Sequence, residues 1–181
     1  TKLSSEQFEA FDSPNFPHLA ESGVHLTFND PILRRLKRAE AGMELTVRKD
    51  MSSDVLILKL FPGITETTVR HALSTPGLKG VVLETFGAGN APTAAWFLDC
   101  LRGAIKAGVH IVNVTQCVSG SVLQGRYAAS SELKRIGVIS GSDITTESAL
   151  AKLRYLLTFD FSREEFKTHF ERPLRGELTE F

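Results

Sequence analysis

Two cysteines, Cys100 and Cys117, are all that the chain contains. They are too few for a disulfide framework or a zinc quartet, and their scarcity points to a reducing, cytoplasmic compartment. Neither sign of charge is in excess: Lys plus Arg and Asp plus Glu both number 21. That balance leaves no electrostatic footprint for nucleic acid or for an anionic membrane surface. There is no apolar run of about 18 residues, the length a bilayer-spanning helix requires. The start, Thr1 to Gln7, is polar and carries no signal-peptide core. It also lacks an initiator Met, so the expectation is that the chain begins inside a longer protein. The histidines His18, His25, His71, His110 and His169 show no H-x-x-x-H spacing, and neither a metal nor any other cofactor is expected. Internal repeats and low-complexity tracts are absent from the sequence.

What is there is globular material. Hydrophobic residues make up 42% and charged residues 23% of 181 positions, enough to bury a sizeable core. Residues 1–28 scatter Phe8, Phe11, Pro14, Phe16 and Pro17 among polar residues with no clear period. Asn29, Asp30 and Pro31 mark a turn. Pro31 to Arg38 reads as a short basic helix closed by Ala39 to Gly42, and the chain to Asp50 as a connector or edge strand.

After Met51 the order becomes regular. Val55 to Leu60 is a nearly continuous apolar run, as a buried parallel strand requires. Thr65 caps a helix to about Leu73, stopped by Pro76-Gly77. Gly80 to Thr85 is a second strand. Gly87 to Asn90 is a loop, and Pro92 suits the first turn of a helix whose Phe97, Leu98, Leu101, Ala104 and Ile105 share one face. Val109 to Val114 is a third strand, Tyr127 to Ile136 a helix stopped by Gly137, and Val138-Ile139 a short strand. Ala149, Leu150, Leu153, Leu156 and Leu157 form a helical stripe from about Thr145. Ser162-Arg163-Glu164-Glu165 is a capping box opening a last helix. Strand and helix alternating four times predict a Rossmann-like or flavodoxin-like three-layer α/β domain with a mainly parallel sheet.

Ligands of open parallel sheets bind beyond the carboxyl ends of the strands. The loops there are Phe61 to Gly63, Thr85 to Pro92, Thr115 to Gly125 and Ser140 to Thr146. All but the first are rich in Gly, Ser, Thr or Asn. Either they serve a small polar ligand, or they carry only the Gly and cap residues that such turns need in any case. Gly87-Ala88-Gly89 opens like a dinucleotide loop, but Pro92 replaces the third glycine and Asn113 stands where a ribose-binding acid belongs. Cys117 follows a strand as a nucleophile can, yet no His or Asn partner is marked, and a small buried or half-buried residue is the preferred reading. Residue pattern alone stops at an α/β domain with a polar loop face.

Six segments go further: Lys59 to Ile64, Gly80 to Pro92, Val112 to Cys117, Gly137 to Thr145, Ala151 to Leu157 and Leu174 to Thr179. In order and spacing they resemble type I L-asparaginases, and Thr1-Lys2 with Phe11 to Asn15 resembles the end of that family's N-terminal domain. The resemblance implies that residues 1–28 are the tail of a larger N-terminal α/β domain. It makes 29–50 the connector and 51–181 the C-terminal domain. It implies hydrolysis of L-asparagine to L-aspartate and ammonia in a homodimer or homotetramer. The threonine nucleophile, a second threonine and an aspartate would lie upstream of Thr1, so this chain alone would be inactive. Lys2 matches the catalytic lysine; the residue by itself is an ordinary solvated ammonium unless enclosed. Asn90 matches a contact to substrate in the partner subunit's site, or is a loop residue before Pro92. Thr1, Glu84, Asn90, Thr115 and Cys117 match the allosteric positions of bacterial cytosolic members. Glu84 departs from the bacterial pattern: a carboxylate stands in place of an arginine that would pair with the effector's carboxylate, as in the animal branch.

Three other readings stay open. The asparaginase-like subunit of a tRNA-dependent amidotransferase shares the lysine position, though the neutral charge argues against it. A lysophospholipase, a role suggested for animal relatives, finds no G-x-S-x-G elbow here. A non-catalytic Rossmann-like binding module also fits residues that lack a nucleophile.

Overall fold

The computed structural model describes residues 1–33, 47–123, 125 and 128–179. The chain divides into two compact units, Lys2–Lys49, and Thr1 together with Asp50–Phe181.

In the smaller unit, β1 (Ala20–Ser22) and β2 (Leu26–Phe28) form an antiparallel hairpin, with Ala20 opposite Phe28 and Ser22 opposite Leu26. This hairpin has no alternating apolar signature: its faces are largely exposed. A short 3-10 turn, Asp30–Ile32, follows with Pro31 in its first turn. The helix expected from Pro31 to Arg38 is reduced to that turn as far as Leu33. Its remainder, the closing Ala39 to Gly42 and most of the connector lie outside the described residues. Phe8, Phe11, Val24, Leu26 and Phe28 are all exposed, and among the described residues none of the unit's hydrophobic side chains is buried.

The larger unit is a four-stranded, wholly parallel sheet: β3 (Val55–Lys59), β4 (Gly80–Thr85), β5 (His110–Thr115) and β6 (Ile139–Ser140), in that spatial order. Among the described residues the order never reverses, so these four strands form no switch point of the kind at which doubly wound sheets bind dinucleotides. All six residues of β4 are buried. The crossover helices α1 (Glu66–Leu73), α2 (Ala95–Lys106) and α3 (Ala128–Arg135) cover one face through Val69, Phe97, Leu101 and Leu133. One face for all three follows from three right-handed connections made in one direction. The opposite face is covered by α4 (Thr146–Leu156) and α5 (Arg163–Glu171) through Ala149, Leu153, Phe166 and Phe170. Each of the buried Val, Leu and Phe side chains among these contributes about 1.5–3 kcal/mol. The three-layer fold is thus as the sequence predicts. Among the described residues no helix is long and apolar enough to cross a membrane.

The caps explain the helix starts. Thr65 accepts from the Thr68 N–H, and Ser162 and Glu165 form the full capping box. Pro92 is a correction: α2 begins at Ala95, because Phe86 and Asn90 exchange backbone hydrogen bonds and hold the preceding chain in a bridge. The third strand runs one residue later than its apolar run suggests, through Thr115. The fourth likewise runs through Ser140.

The final turn is pinned by a buried pair. Lys152 meets the Glu177 carboxylate at 2.7 Å. Burial lowers Lys152 from the usual lysine range. Burial alone would raise Glu177, but hydrogen bonds from the Leu174 N–H, Lys152 and the Arg175 N–H outweigh it and hold the acid at about 2.

At the amino end of β5 the His110 ring stacks on Phe166, centroids 3.7 Å apart. Arg163 donates to the Ile105 and Val109 carbonyls at 2.8 and 3.2 Å. Burial first, and the Arg163 guanidinium second, press His110 from 6.5 to about 4. The unfolded chain therefore takes up a proton that the fold refuses, and stability falls as pH drops from about 6.5 toward 4. Glu177 adds acid sensitivity only below its ordinary range near 4.5. Melting temperature measured from pH 7 to 5 should decline in the wild type and decline clearly less in His110→Phe, which keeps the stacked ring. Parallel curves would show that His110 is not responsible.

Candidate functional site

The carboxyl end of the sheet carries two polar clusters, one on each face. Glu84 shares the α4 side of β4 with Val82, and its register partner on β3 is Lys59. The Lys59 ammonium lies 3.3 Å from Glu84 Oε2, and Thr146 Oγ1 donates to Oε1 at 2.7 Å. Thr146 opens α4, whose cap Thr145 accepts from the Ser148 N–H. The next residue, Glu147, accepts a hydrogen bond from Thr1 Oγ1 at 2.6 Å. That hydroxyl is the main cause holding the Glu147 carboxyl below its usual range. Lys59 keeps 63% of its side chain exposed and Glu84 only 12%. The carboxylate is therefore the sequestered partner, and both its oxygens are engaged.

On the α1–α3 face, Thr85 Oγ1 donates to Asn113 Oδ1 at 2.6 Å, and Asn113 Nδ2 donates to the Gly89 carbonyl at 3.3 Å. Both side chains are fully buried. Gly89 has φ +99°, and a Cβ there would stand 2.7 Å from Val122 Cγ1. No other residue type combines that backbone with that clearance. Thr115 Oγ1 donates to the Gly87 carbonyl at 2.6 Å and accepts from the Cys117 N–H at 3.0 Å. Leu123 N–H donates to the Ala88 carbonyl at 3.0 Å, joining two of the loops. Between the faces, Gln116 Nε2 donates to the Leu60 and Glu84 carbonyls at 2.6 and 2.9 Å, tying the ends of β3 and β4.

Glu84, Asn90, Thr115 and Cys117 are thus gathered at one end of the sheet, and Thr1 joins through Glu147. They do not form one wall: Glu84 and Thr115 point to opposite faces. Asn90 is half-buried at the bridge with Phe86. Cys117 is exposed, against the expectation of a buried or half-buried residue, because its strand ends at Thr115 and the loop turns outward. Lys2 belongs to the smaller unit. It bridges to Phe11, and its exposed ammonium sits 5.8 Å from that ring's centroid.

Sequence reasoning missed Lys59, Thr146, Glu147, Gln116, and Thr85 with Asn113 as a pair. One signal was present: an acidic residue inside an otherwise apolar strand needs a partner. Which residue provides it depends on the register of a non-local parallel pair.

Residues 54–170 match the glutaminase/asparaginase C-terminal domain family. L-asparaginase 1 of Escherichia coli (strain K12) is 39% identical over 182 residues, covering 99% of this chain and 52% of that protein. The 60 kDa lysophospholipase of Mus musculus is 43% identical over 180 residues, covering 99% of this chain and 31% of that protein. A glutamyl-tRNA(Gln) amidotransferase subunit of Methanobrevibacter smithii matches at 30% identity, over 99% of this chain and 40% of its own length. Among solved structures, L-asparaginase I of Vibrio cholerae superposes with a TM-score of 0.84 at 39% identity, covering 94% of this chain and 50% of that one. The chain spans about 30% to about half of the length of the curated relatives it matches.

The buried Thr85–Asn113–Gly89 relay sets a test of the site's scaffold. Thr85→Val leaves the side-chain Oδ1 of Asn113 without the Thr85 donor and should cost about 1–3 kcal/mol. Urea unfolding reads that loss, and faster amide exchange at Gly89 and Asn90 should accompany it. Unchanged exchange there would mean that Asn113 holds the loop without help.

Proposed function

The chain belongs to the glutaminase/asparaginase family, and we propose that it is the C-terminal part of an L-asparaginase that hydrolyses L-asparagine to L-aspartate and ammonia. The observation that carries this is a match to L-asparaginase 1 of Escherichia coli along 99% of the chain. In this reading the threonine nucleophile lies in an N-terminal domain that this chain does not include, and residues 1–181 alone are inactive. A threonine hydroxyl is a weak nucleophile until a neighbour accepts its proton. A lysine accepts one only when burial or a nearby cation favours its neutral form. Lys2 is assigned that role, and its exposed ammonium would need enclosure by the N-terminal domain. The smaller unit exposes Leu3, Phe8, Phe11, Phe16, Leu26 and Phe28, a density of large apolar side chains that supports such a covering partner.

Asn90 is assigned to the substrate's α-amino and α-carboxylate groups in a partner subunit's site, within a cytoplasmic homodimer or homotetramer. Its amide both donates and accepts, which suits those groups. Thr1, Glu84, Asn90, Thr115 and Cys117 are assigned to the inter-subunit, regulatory side of the same loops. The engagement of both Glu84 oxygens by Lys59 and Thr146 supports an arrangement in which no effector carboxylate docks beside Glu84. The lysophospholipase relative matches at 43% identity, as high as the asparaginase relative, but no feature of these residues favours that chemistry. The match to the amidotransferase has lower identity, and the sequence contains no G-x-S-x-G.

In the intact enzyme, Lys2→Met should leave folding nearly unchanged and lower kcat by about 10², the scale of general acid–base assistance. Ammonia release at saturating asparagine measures it. A folded variant with near-normal kcat would remove Lys2 from the mechanism.

A further inference from the structure

We infer that Glu147 is a positioning residue for the proposed asparaginase reaction, fixing Lys2 through the hydroxyl of Thr1; the inference rests on the assignment of Lys2 above. Lys2 opens the smaller unit and Thr1 clusters with the larger one, so the peptide bond between them is a covalent join between the two. A lysine that exchanges a proton with a substrate-side group needs its backbone held, because a four-carbon stem does not fix its own ammonium. On the carboxyl side of that position the backbone is held by the Lys2–Phe11 bridge and by the Leu3 N–H donating to the Ala10 carbonyl at 2.8 Å. On the amino side the hold is Thr1 Oγ1 on the Glu147 carboxylate at 2.6 Å, a charge-assisted hydrogen bond.

The anchor is itself fixed. Glu147 lies in the first turn of α4, where the helix dipole favours a carboxylate. Thr145 caps that turn, and Thr146 is bonded to the sequestered Glu84, which in turn meets Lys59 at the end of β3. A line of polar contacts thus runs from the edge strand to the residue preceding Lys2. The Thr1 hydroxyl is also the first cause that holds the Glu147 carboxyl below its usual range, which favours the ionised acceptor. Glu147 touches no reacting atom; it acts on Lys2 through Thr1.

The test uses the intact enzyme and two backgrounds, wild type and Lys2→Met. Thr1→Val and Glu147→Leu, which remove the donor and the acceptor, should each lower kcat about tenfold with KM changed less than about twofold, a loss within the range that misplacement of a reacting group produces. Their double variant should be no worse than either single. Glu147→Gln keeps an acceptor oxygen and should recover most of the loss, which also separates positioning from failure to fold. In the Lys2→Met background neither substitution should have any further effect. If Lys2→Met is slow but Thr1→Val and Glu147→Leu retain full kcat, or act equally in both backgrounds, the positioning role is overturned while Lys2 keeps its own. If Lys2→Met turns over normally, the assignment of Lys2 fails and the positioning role fails with it.

Discussion

The structure depends on one constraint: β4 is buried along its whole length, yet ends in two polar residues, Glu84 and Thr85. A buried polar group without a partner costs more than most single contacts return. Because strand side chains alternate, the two residues must find partners on opposite faces. Glu84 takes Lys59 and Thr146 on the α4 side, and Thr85 takes Asn113 on the other. Most of the remaining order at the carboxyl end of the sheet follows. Asn113 holds Gly89, Thr115 holds Gly87, and Gln116 closes the gap between the ends of β3 and β4.

The two faces therefore have different characters. The Thr85 side is a buried, neutral relay that shapes the Gly87 to Pro92 turn and presents Asn90 at a half-buried rim. The Glu84 side is ionic, partly open through Lys59, and continuous with the first turn of α4 and Thr1. The loop that carries Asn90 and the line of polar contacts that reaches Thr1 are thus built from adjacent residues of one strand. Among the described residues the strand order does not reverse beside Gly87-Ala88-Gly89, whereas a dinucleotide loop in a doubly wound sheet lies at such a reversal.

The features legible in the sequence are local ones. Gly80 to Thr85 reads as a strand because Val81, Val82 and Leu83 form an apolar, largely β-branched run. Thr65 and the Ser162–Glu165 box read as helix starts because capping depends on residues three positions apart. The features that escape are non-local. Pro92 invites a helix start, and a bridge between Phe86 and Asn90 moves it. The hairpin of the smaller unit has no alternation to betray it, since its faces are largely exposed. Cys117 reads as sheltered and is exposed, because the end of β5 is set by pairing with β4. Glu84 stands out by resemblance, but Lys59, its register partner on a parallel neighbour, needs the fold. The candidate residues are therefore legible as names, while their division between two faces is not.

The functional account rests on a division of labour: the nucleophile in an N-terminal domain, and a lysine, a substrate contact and their supports in this chain. Ammonia release from L-asparagine by purified residues 1–181 tests it most directly, measured alone and after addition of the separately expressed N-terminal region. The account predicts no turnover by residues 1–181 alone and turnover restored by the mixture. Steady asparagine hydrolysis by residues 1–181 alone would contradict it.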